Sequence, residues 1–236
     1  MTKTSNKGVL VLVRHGESLF NKLNLFTGWL DVPLTEAGIQ EAHKVAAHCK
    51  QFDYDAAFTS NLERAHETLL IVLASQQKIA VFQHDNHDWY GMIKNEPTII
   101  DKPILPVYSS AALNERAYGA LQGLNKELAS MTYGVSQVLE WRRGYDARPP
   151  GGESLEDVSS RVIPYICDVI IPRLERGETN LIVSHGNTLR AIIKFMENIE
   201  SSKIPRISLP FASPLVYEYE AGRFNKVEGE YEFNRN

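Results

Sequence analysis

Gly8-Val-Leu-Val-Leu-Val-Arg-His-Gly16 is an apolar stretch, rich in β-branched residues, that stops at an arginine, a histidine and a glycine. Asn180-Leu-Ile-Val-Ser-His-Gly186 has the same design and stops at a second histidine–glycine pair. Each stretch predicts a buried strand that carries an imidazole to its carboxyl end, followed by a glycine where the backbone comes close to another group. Open α/β sheets bind ligands at that edge. Two histidines arriving there, one beside an arginine, indicate one site suited to phosphate chemistry.

The rest of the chain alternates between strand and helix patterns. Further strands are predicted at Ala56–Thr59, Ile79–Gln83 and Pro214–Tyr219, the last one half-exposed, and helices at Glu36–Lys50, after Ser60 or Asn61, after Ser154, and at Thr188–Met196. The prolines between His84 and Ser110 predict an irregular stretch there. This alternation predicts a three-layer α/β/α fold in one domain spanning residues 1–236, with a mostly parallel central sheet and helices on both of its faces.

Individual helices carry clear terminal and core signals. Thr35 is the expected N-cap of the first long helix, whose predicted core stripe is Ile39, Ala42, Ala46 and Cys49. Ser154 and Asp157 have the spacing of a capping box. Pro164 should kink the helix that this box opens.

Composition narrows the class of protein. The 236 residues are 43% hydrophobic and 23% charged, with a net charge of −4, which is typical of a globular enzyme and argues against a nucleic-acid-binding protein. The longest apolar stretch falls short of the ~20 residues that cross a membrane. Residues 1–7 lack the apolar segment of a signal peptide, so we expect a cytoplasmic protein. Cys49 and Cys167 are expected to be buried free thiols.

The first histidine lies in a longer segment whose residues suit phosphoryl transfer. A neutral imidazole attacks phosphorus when one of its nitrogens is free and the other is held by a hydrogen bond. Phosphoryl oxygens require fixed positive charge and N–H donors. Arg14 supplies a planar guanidinium, and Asn21 supplies a side-chain amide. Backbone N–H groups can approach the anion at Gly16 and, within Phe26-Thr-Gly-Trp29, at Thr27 and Gly28.

Several blocks of the chain together resemble the cofactor-dependent phosphoglycerate mutases of the histidine phosphatase superfamily. The blocks are Leu12-Val-Arg-His-Gly-Glu-Ser-Leu-Phe-Asn21, Thr59-Ser-Asn-Leu-Glu-Arg-Ala65, Leu113-Asn-Glu-Arg-Ala-Tyr-Gly-Ala-Leu-Gln-Gly-Leu-Asn-Lys126, Trp141-Arg-Arg-Gly144, Pro149-Pro-Gly-Gly-Glu-Ser-Leu155 and Ser184-His-Gly-Asn-Thr-Leu-Arg190. The third and fourth blocks concern the triose phosphate rather than phosphate alone. The resemblance therefore favours a mutase over other members of the superfamily.

The resemblance implies a role for each site residue. His15 is the implied nucleophile, and His185 is the implied partner that stabilises the transferring phosphoryl group across from it. Glu115 is the implied general acid and base. The implied phosphate ligands are Arg14, Arg64, Ser18, Asn21, Thr27, Gly28, Gly186 and Asn187, and the implied ligands of the substrate's carboxylate and second phosphate are Arg116, Tyr118, Lys126, Arg142 and Arg143.

Each of these assignments has a structural alternative when its residue is taken alone. Glu115 could form an ion pair with Arg116 or Lys126 on a solvated face. The two arginines at positions 142 and 143 could be a solvated surface pair, and His185 could be a satisfied core histidine. Arg64 falls in the first turn of a predicted helix, where a positive charge opposes the helix dipole. That mismatch indicates an anion near this helix.

A second cluster of histidines and aspartates occurs in His84-Asp-Asn-His-Asp88. Its spacing matches no closed metal site with supporting partners, so a solvated loop is the preferred interpretation. The implied chemistry uses 2,3-bisphosphoglycerate as its phosphoryl donor and no metal, because arginines and histidines supply the positive charge.

The chain departs from the common family pattern in two places, since it is longer between Ala74 and Ser110 and shorter between Gly144 and Pro149. Residues 75–112 form a variable insertion next to Glu115, which could shape the pocket edge or a subunit interface. The polar residues 222–236 predict a mobile tail, and in relatives this tail acts as a lid. A homodimer is the oligomer that we expect.

Three hypotheses follow. The first is a mutase that interconverts 3-phosphoglycerate and 2-phosphoglycerate through phosphohistidine, in glycolysis and gluconeogenesis, with these small molecules as its partners. The second is a phosphatase of the same fold, in which water accepts the phosphoryl group from a small phosphorylated metabolite. The third is a non-catalytic anion sensor. The complete set of histidines and arginines argues against the third, and the paired arginines with Lys126 and Tyr118 argue against the second.

Overall fold

A seven-stranded sheet forms the centre of the protein, as described by a computed structural model over residues 7–83 and 102–233. The strands are β1 (Gly8–Arg14), β2 (Ala56–Thr59), β3 (Ile79–Gln83), β4 (Ile104–Ser109), β5 (Thr179–Ser184), β6 (Ile207–Ser208), β7 (Pro214–Glu220), β8 (Arg223–Glu228) and β9 (Glu232–Phe233). The helices in these residues are α1 (Leu19–Lys22), α2 (Glu36–Cys49), α3 (Glu63–Ala74), α4 (Lys126–Tyr133), α5 (Val135–Arg143), α6 (Leu155–Tyr165), α7 (Ile171–Glu175) and α8 (Gly186–Met196).

The strand order confirms the predicted fold class. The sheet runs β3-β4-β2-β5-β1-β7-β8, and its first five strands are parallel. β7 and β8 continue it in antiparallel fashion, and β6 pairs separately with β9. Because β1 and β5 are parallel neighbours, with Arg14 opposite Ser184, the two histidines that follow them leave the same edge of the sheet.

Alternating side chains of β1 pack against helices on both faces of the sheet. Leu10 and Leu12 belong to one core, which also contains Val158 and Val162 of α6 and the apolar residues of α8. Val11 and Val13 belong to a second core with apolar residues of α2 and α3. Neither face of β1 meets water, because each is covered by helices. This is why Val9–Val13 are apolar without alternation.

The structure corrects the predicted irregular stretch. The strand β4 lies in the interior of the sheet, between β3 and β2, within the segment that the prolines indicated as irregular. Pro106 lies inside this strand, opposite Val81 of β3. Proline is uncommon in an interior strand because it lacks an N–H donor, which is why the pattern misled the prediction. The metal candidate His84–Asp88 lies outside the described residues.

Three local predictions are also corrected. Ile39 is 36% exposed rather than core, because Gly38 faces inward and packs against the backbone of Glu17. β7, expected to be half-exposed, is largely buried between β1 and β8. Of the two cysteines, Cys49 is buried but Cys167 is only half-buried, although both are free thiols.

Two helix starts differ from the predictions. The N-cap of α3 is Leu62 rather than Ser60 or Asn61, and α8 begins at Gly186 rather than Thr188. The remaining caps are confirmed, since Thr35 accepts from the Gly38 N–H and Ser154 forms the capping box. A π-helical turn, Ile166–Ile170, follows α6, which contains the helix-disrupting Pro164.

Several predictions about the whole chain stay predictions. These are the single domain, the variable insertion at 75–112, the mobility of the tail at 222–236 and the homodimer. Within that tail, the structure forms β8 and β9. Among the residues described, no helix combines the length and apolar character that crossing a membrane would need.

Candidate active site

His15 and His185 meet at the carboxyl edge of the sheet. The two ring centroids are 4.9 Å apart, and the His15 N–H donates to the carbonyl of Ser184 over 3.0 Å. Both histidines are buried, with 3% and 0% of their surfaces exposed. The pair is therefore fixed by the pairing of β1 with β5 and does not depend on a mobile loop.

The hydrogen bonding of His15 leaves one ring nitrogen available. Its Nδ1 lies 2.6 Å from the carbonyl oxygen of Gly16, which only accepts, so Nδ1 carries the proton. Burial, followed by the charges of Arg64 and Arg14, holds the pKa of His15 well below its usual range. A neutral ring with its proton on Nδ1 has its lone pair on Nε2, which is the state required of a nucleophile.

Arg14 and Arg64 place two buried guanidinium groups beside this ring. Arg14 donates to the carbonyl of Leu209 over 2.6 Å and stacks on the Phe211 ring at 3.8 Å. Arg64 donates to the carbonyls of Gly28 and Leu30. Burial lowers the pKa of each arginine to about 10, so both stay charged near neutral pH. Carbonyl partners orient these guanidinium groups without neutralising them.

Glu115 lines the same cavity and is held by backbone donors. Its Oε1 accepts from the N–H of Arg116 over 2.7 Å and from the N–H of Asn187 over 3.2 Å. Its own carbonyl accepts from Trp29 Nε1 and from Arg161. With Oε1 occupied, Oε2 is the oxygen left for proton transfer.

A second group of cations, Lys126, Arg142 and Arg143, lines the same cavity. Burial, followed by the charge of Arg142, lowers the pKa values of Lys126 and Arg143. The positive charges of these side chains repel one another, and a bound anion would relieve that unfavourable interaction. Tyr118 lies beside them and accepts from Arg116 over 3.1 Å. Burial acts to raise the pKa of Tyr118, but the Arg116 charge and hydrogen bond more than offset it.

These residues line one cavity. Its walls are formed by Arg14, His15, Asn21, Leu25, Phe26, Thr27, Gly28, Arg64, Glu115, Tyr118, Lys126, Arg142, Arg143, Gly186, Asn187, Arg190 and Ser208. Six of them are lysine or arginine and one is a carboxylic acid. In a chain of net charge −4, this concentration of positive charge indicates a small ligand with several negative charges.

Three residues predicted for the site do not line the cavity. Ser18 caps α1 and donates to Asn21 Oδ1, which leaves the amide N–H groups of Asn21 for a ligand. Arg116 is fully buried and donates to Tyr118 and to the carbonyl of Arg142, so it supports two lining residues. His185 is not among the lining residues, but its ring lies 4.9 Å from that of His15, which is.

Two residues near the histidines were not assigned a role from the sequence. Arg190 lines the cavity and donates to Asn187 Oδ1 over 2.8 Å, a pairing that its i, i+3 position on α8 could have indicated. Burial and the Arg143 and Arg14 charges lower its pKa to about 9. Ser60, expected as a helix cap, instead lies 2.8 Å from His185 Nε2. No local pattern indicates the contact of Ser60, because it joins residues 125 positions apart in the sequence.

Several polar atoms of the site have no protein partner. The buried atoms without a hydrogen bond include Arg14 Nε, Arg116 Nε and Nη1, and His185 Nδ1. Buried donors are normally satisfied, and Arg14 lines the cavity, so the missing partner of its Nε is a sign of ligand binding there. Over residues 7–83 and 102–233, no group of three or more histidine, cysteine, aspartate or glutamate side chains is arranged to hold a metal ion.

Comparison with known proteins agrees with this geometry. Residues 10–87 and 97–230 match the family model of the histidine phosphatase superfamily (branch 1). The chain is 44% identical over 220 residues to a 2,3-bisphosphoglycerate-dependent phosphoglycerate mutase of Gloeothece citriformis, covering 89% of this chain and 94% of the relative. It is 42% identical over 216 residues to the enzyme of the same name from Methanococcus vannielii, covering 89% and 90%.

Solved structures share the fold at lower sequence identity. A structure named mycobacterial hydrolase 1 superposes with a TM-score of 0.74 at 22% identity, covering 94% of this chain and 97% of that one. A mycobacterial glucosyl-3-phosphoglycerate phosphatase superposes with a TM-score of 0.72 at 22% identity, covering 93% and 96%. At this identity the likeness concerns the fold alone.

Proposed function

The chain belongs to the histidine phosphatase superfamily, branch 1, and we propose that within it this protein interconverts 3-phosphoglycerate and 2-phosphoglycerate. Relatives at 44% and 42% identity carry the name of the 2,3-bisphosphoglycerate-dependent mutase. The observation that carries the proposal is a neutral, buried His15 in a cavity that is also lined by Lys126, Arg142 and Arg143. This arrangement suits a substrate that has a transferable phosphate and a separate anionic group.

His15 acts as the nucleophile in this proposal. Its Nε2 lone pair attacks phosphorus, a P–N bond forms, and the P–O bond to the substrate oxygen breaks. Arg14 and Arg64 stabilise the charge on the phosphoryl oxygens, because their carbonyl partners hold them in place before the reaction. The low pKa of His15 keeps its ring unprotonated at neutral pH.

Glu115 acts as the general acid and general base at the substrate oxygen. It protonates the departing oxygen as the P–O bond breaks, and it takes the proton from the attacking hydroxyl in the reverse half-reaction. One carboxyl serves both steps, because the two substrate oxygens occupy the same place in turn. Backbone N–H groups fix Oε1 and thereby aim the remaining oxygen.

Lys126, Arg142 and Arg143 hold the part of the substrate that does not react. Binding at this end relieves the repulsion among them and immobilises the molecule while phosphate is transferred at the other end. An immobilised acceptor outcompetes water for the phosphoryl group. This is what separates a mutase from a phosphatase of the same fold.

The residues present fit 2,3-bisphosphoglycerate as the priming cofactor. An unpartnered donor on Arg14, together with six lining cations, suits a molecule with three anionic groups. When bound, this cofactor supplies the phosphoryl group that charges the enzyme. The proposed chemistry assigns no role to a metal ion.

A coupled assay tests the function. The protein is given 3-phosphoglycerate with and without 2,3-bisphosphoglycerate, and 2-phosphoglycerate and inorganic phosphate are both measured. We expect isomerisation to need the cofactor and to exceed hydrolysis. Hydrolysis faster than isomerisation would favour the phosphatase, and neither activity would favour the anion sensor.

A further inference from the structure

Ser60 joins the catalytic edge of the sheet from a third strand. It directly follows β2, which pairs with β5 in parallel, so it lies at the same edge as His185. Its side chain is fully buried, and its Oγ lies 2.8 Å from His185 Nε2. This is the hydrogen bond that the structure records for the His185 ring, whose Nδ1 has no partner among the described residues.

The direction of this hydrogen bond follows from counting protons. Ser60 Oγ already accepts from the N–H of Leu62 over 3.1 Å. Its single hydroxyl proton needs an acceptor, and His185 Nε2 is the acceptor recorded within reach. If Nε2 donated instead, the buried hydroxyl proton and the Nδ1 lone pair would both lack a partner, whereas an accepting Nε2 leaves only the Nδ1–H without one. Nε2 is therefore the acceptor, and in a neutral ring the proton lies on Nδ1.

The backbone of Ser60 is itself held in place. His66 Nε2 lies 2.6 Å from the carbonyl of Ser60, and Asn61 donates from its N–H to Asn114 Oδ1 over 2.9 Å. Asn114 directly precedes Glu115. The hydroxyl is thus fixed relative to both the histidine pair and the general acid.

We propose that Ser60 is a positioning residue that fixes His185 as its Nδ1–H tautomer, so that this N–H donates to the phosphoryl group transferring at His15. The buried, unpartnered Nδ1 and the 4.9 Å between the two rings support this assignment. The burial of His185, followed by the Arg64 and His15 charges, keeps its pKa well below the usual range, consistent with a neutral ring. The part played in transfer rests on the proposed function, whereas the tautomer does not.

The first test is nitrogen NMR of the histidine rings in the protein without substrate. We expect His185 to show a protonated Nδ1 and an unprotonated Nε2. The Ser60→Ala variant should shift the ring toward the Nε2–H tautomer, and Ser60→Thr, which retains the hydroxyl, should restore the wild-type pattern. A wild-type ring protonated on Nε2 overturns the proposal, whatever the variants do.

Thr59→Val is the matched control. Thr59 is the preceding residue, and its buried Oγ1 has no hydrogen-bond partner. Removing it deletes a buried hydroxyl next to the site without touching His185. Thermal unfolding of all variants reports folding separately, so a general loss of packing is distinguished from a change of tautomer.

The second test measures vanadate binding and turnover. Vanadate mimics the transferring phosphoryl group in both a mutase and a phosphatase, so its affinity does not depend on which activity is correct. We expect Ser60→Ala to weaken vanadate binding and to slow turnover by roughly ten- to hundredfold, less than the roughly 10²–10³ lost when such a donor is removed, because here the donor is misdirected and not deleted. Thr59→Val should leave both unchanged. Equal effects of the two variants, or no effect of Ser60→Ala, contradict the proposal.

Discussion

Arg190 donates from Nη1 to Asn187 Oδ1 over 2.8 Å, one helical turn away on α8. Asn187 in turn donates from its side-chain nitrogen to the Tyr118 hydroxyl over 3.2 Å. The Arg190 guanidinium therefore orients an amide on the cavity wall, and its Nε also donates to the carbonyl of Ile207. Since both ends of the amide are engaged, Asn187 has one orientation.

Replacing Arg190 by methionine should weaken substrate binding. A hydrogen bond to a charged group contributes about 1.5–3 kcal/mol, so we expect KM for 3-phosphoglycerate to rise by roughly ten- to hundredfold. Arg206→Met is the control, because Arg206 is an exposed arginine of the neighbouring turn and does not line the cavity. KM is measured by steady-state kinetics for both variants. Equal KM values would disprove the role of Arg190 in substrate binding.

The titration of His15 provides a second prediction. Its pKa lies well below the model-peptide value of about 6.5, so the ring binds a proton only at correspondingly lower pH and stays neutral at pH 6.5. NMR of the His15 ring between pH 7.5 and 6 should show no titration. Arg64→Met removes a nearby charge and should raise the His15 pKa, although burial, the larger cause, remains. A wild-type midpoint near 6.5 would rule out this electrostatic account.

Much of the fold and the charged site could be predicted because strong local signals coincide with tertiary structure. The central residues of β1 and β5, Val9–Val13 and Leu181–Val183, are all apolar, as buried parallel strands require, and a site histidine directly follows each strand. The sequence pattern does not predict β4, because Pro106 lies inside it and proline is uncommon in an interior strand. The local pattern predicts Ser60 as a helix cap, whereas its contact with His185 spans 125 residues of sequence. Contacts of that range leave no periodic pattern.

Chelation should leave activity intact. The proposed mechanism draws its positive charge from arginines, so exhaustive treatment with EDTA should not change turnover in the coupled assay. Vanadate should inhibit competitively, because its trigonal-bipyramidal form resembles the transferring phosphoryl group. Loss of activity on chelation, with recovery on adding a divalent ion, would instead direct attention to His84–Asp88.

Arg142 should determine how well the acceptor competes with water. Arg142→Ala removes one of the cations that line the cavity. We therefore expect a higher KM for 3-phosphoglycerate and a larger fraction of turnovers that end in hydrolysis. The control is Arg148→Ala, which removes an exposed arginine paired with Asp157 outside the cavity. The measured quantity is the ratio of isomerisation to phosphate release. If the ratio for Arg142→Ala equalled that for the control, Arg142 would have no role in holding the acceptor.

The most direct test of the central claim follows the phosphoryl group itself. The protein is charged with radiolabelled 2,3-bisphosphoglycerate, freed of excess label and mapped by mass spectrometry, then mixed with unlabelled 3-phosphoglycerate. We predict an acid-labile label on His15, absent from His15→Ala, that passes to organic phosphoglycerates in a single turnover. Label on another residue, or label released mainly as inorganic phosphate in the presence of acceptor, would contradict transfer from His15 to a held substrate.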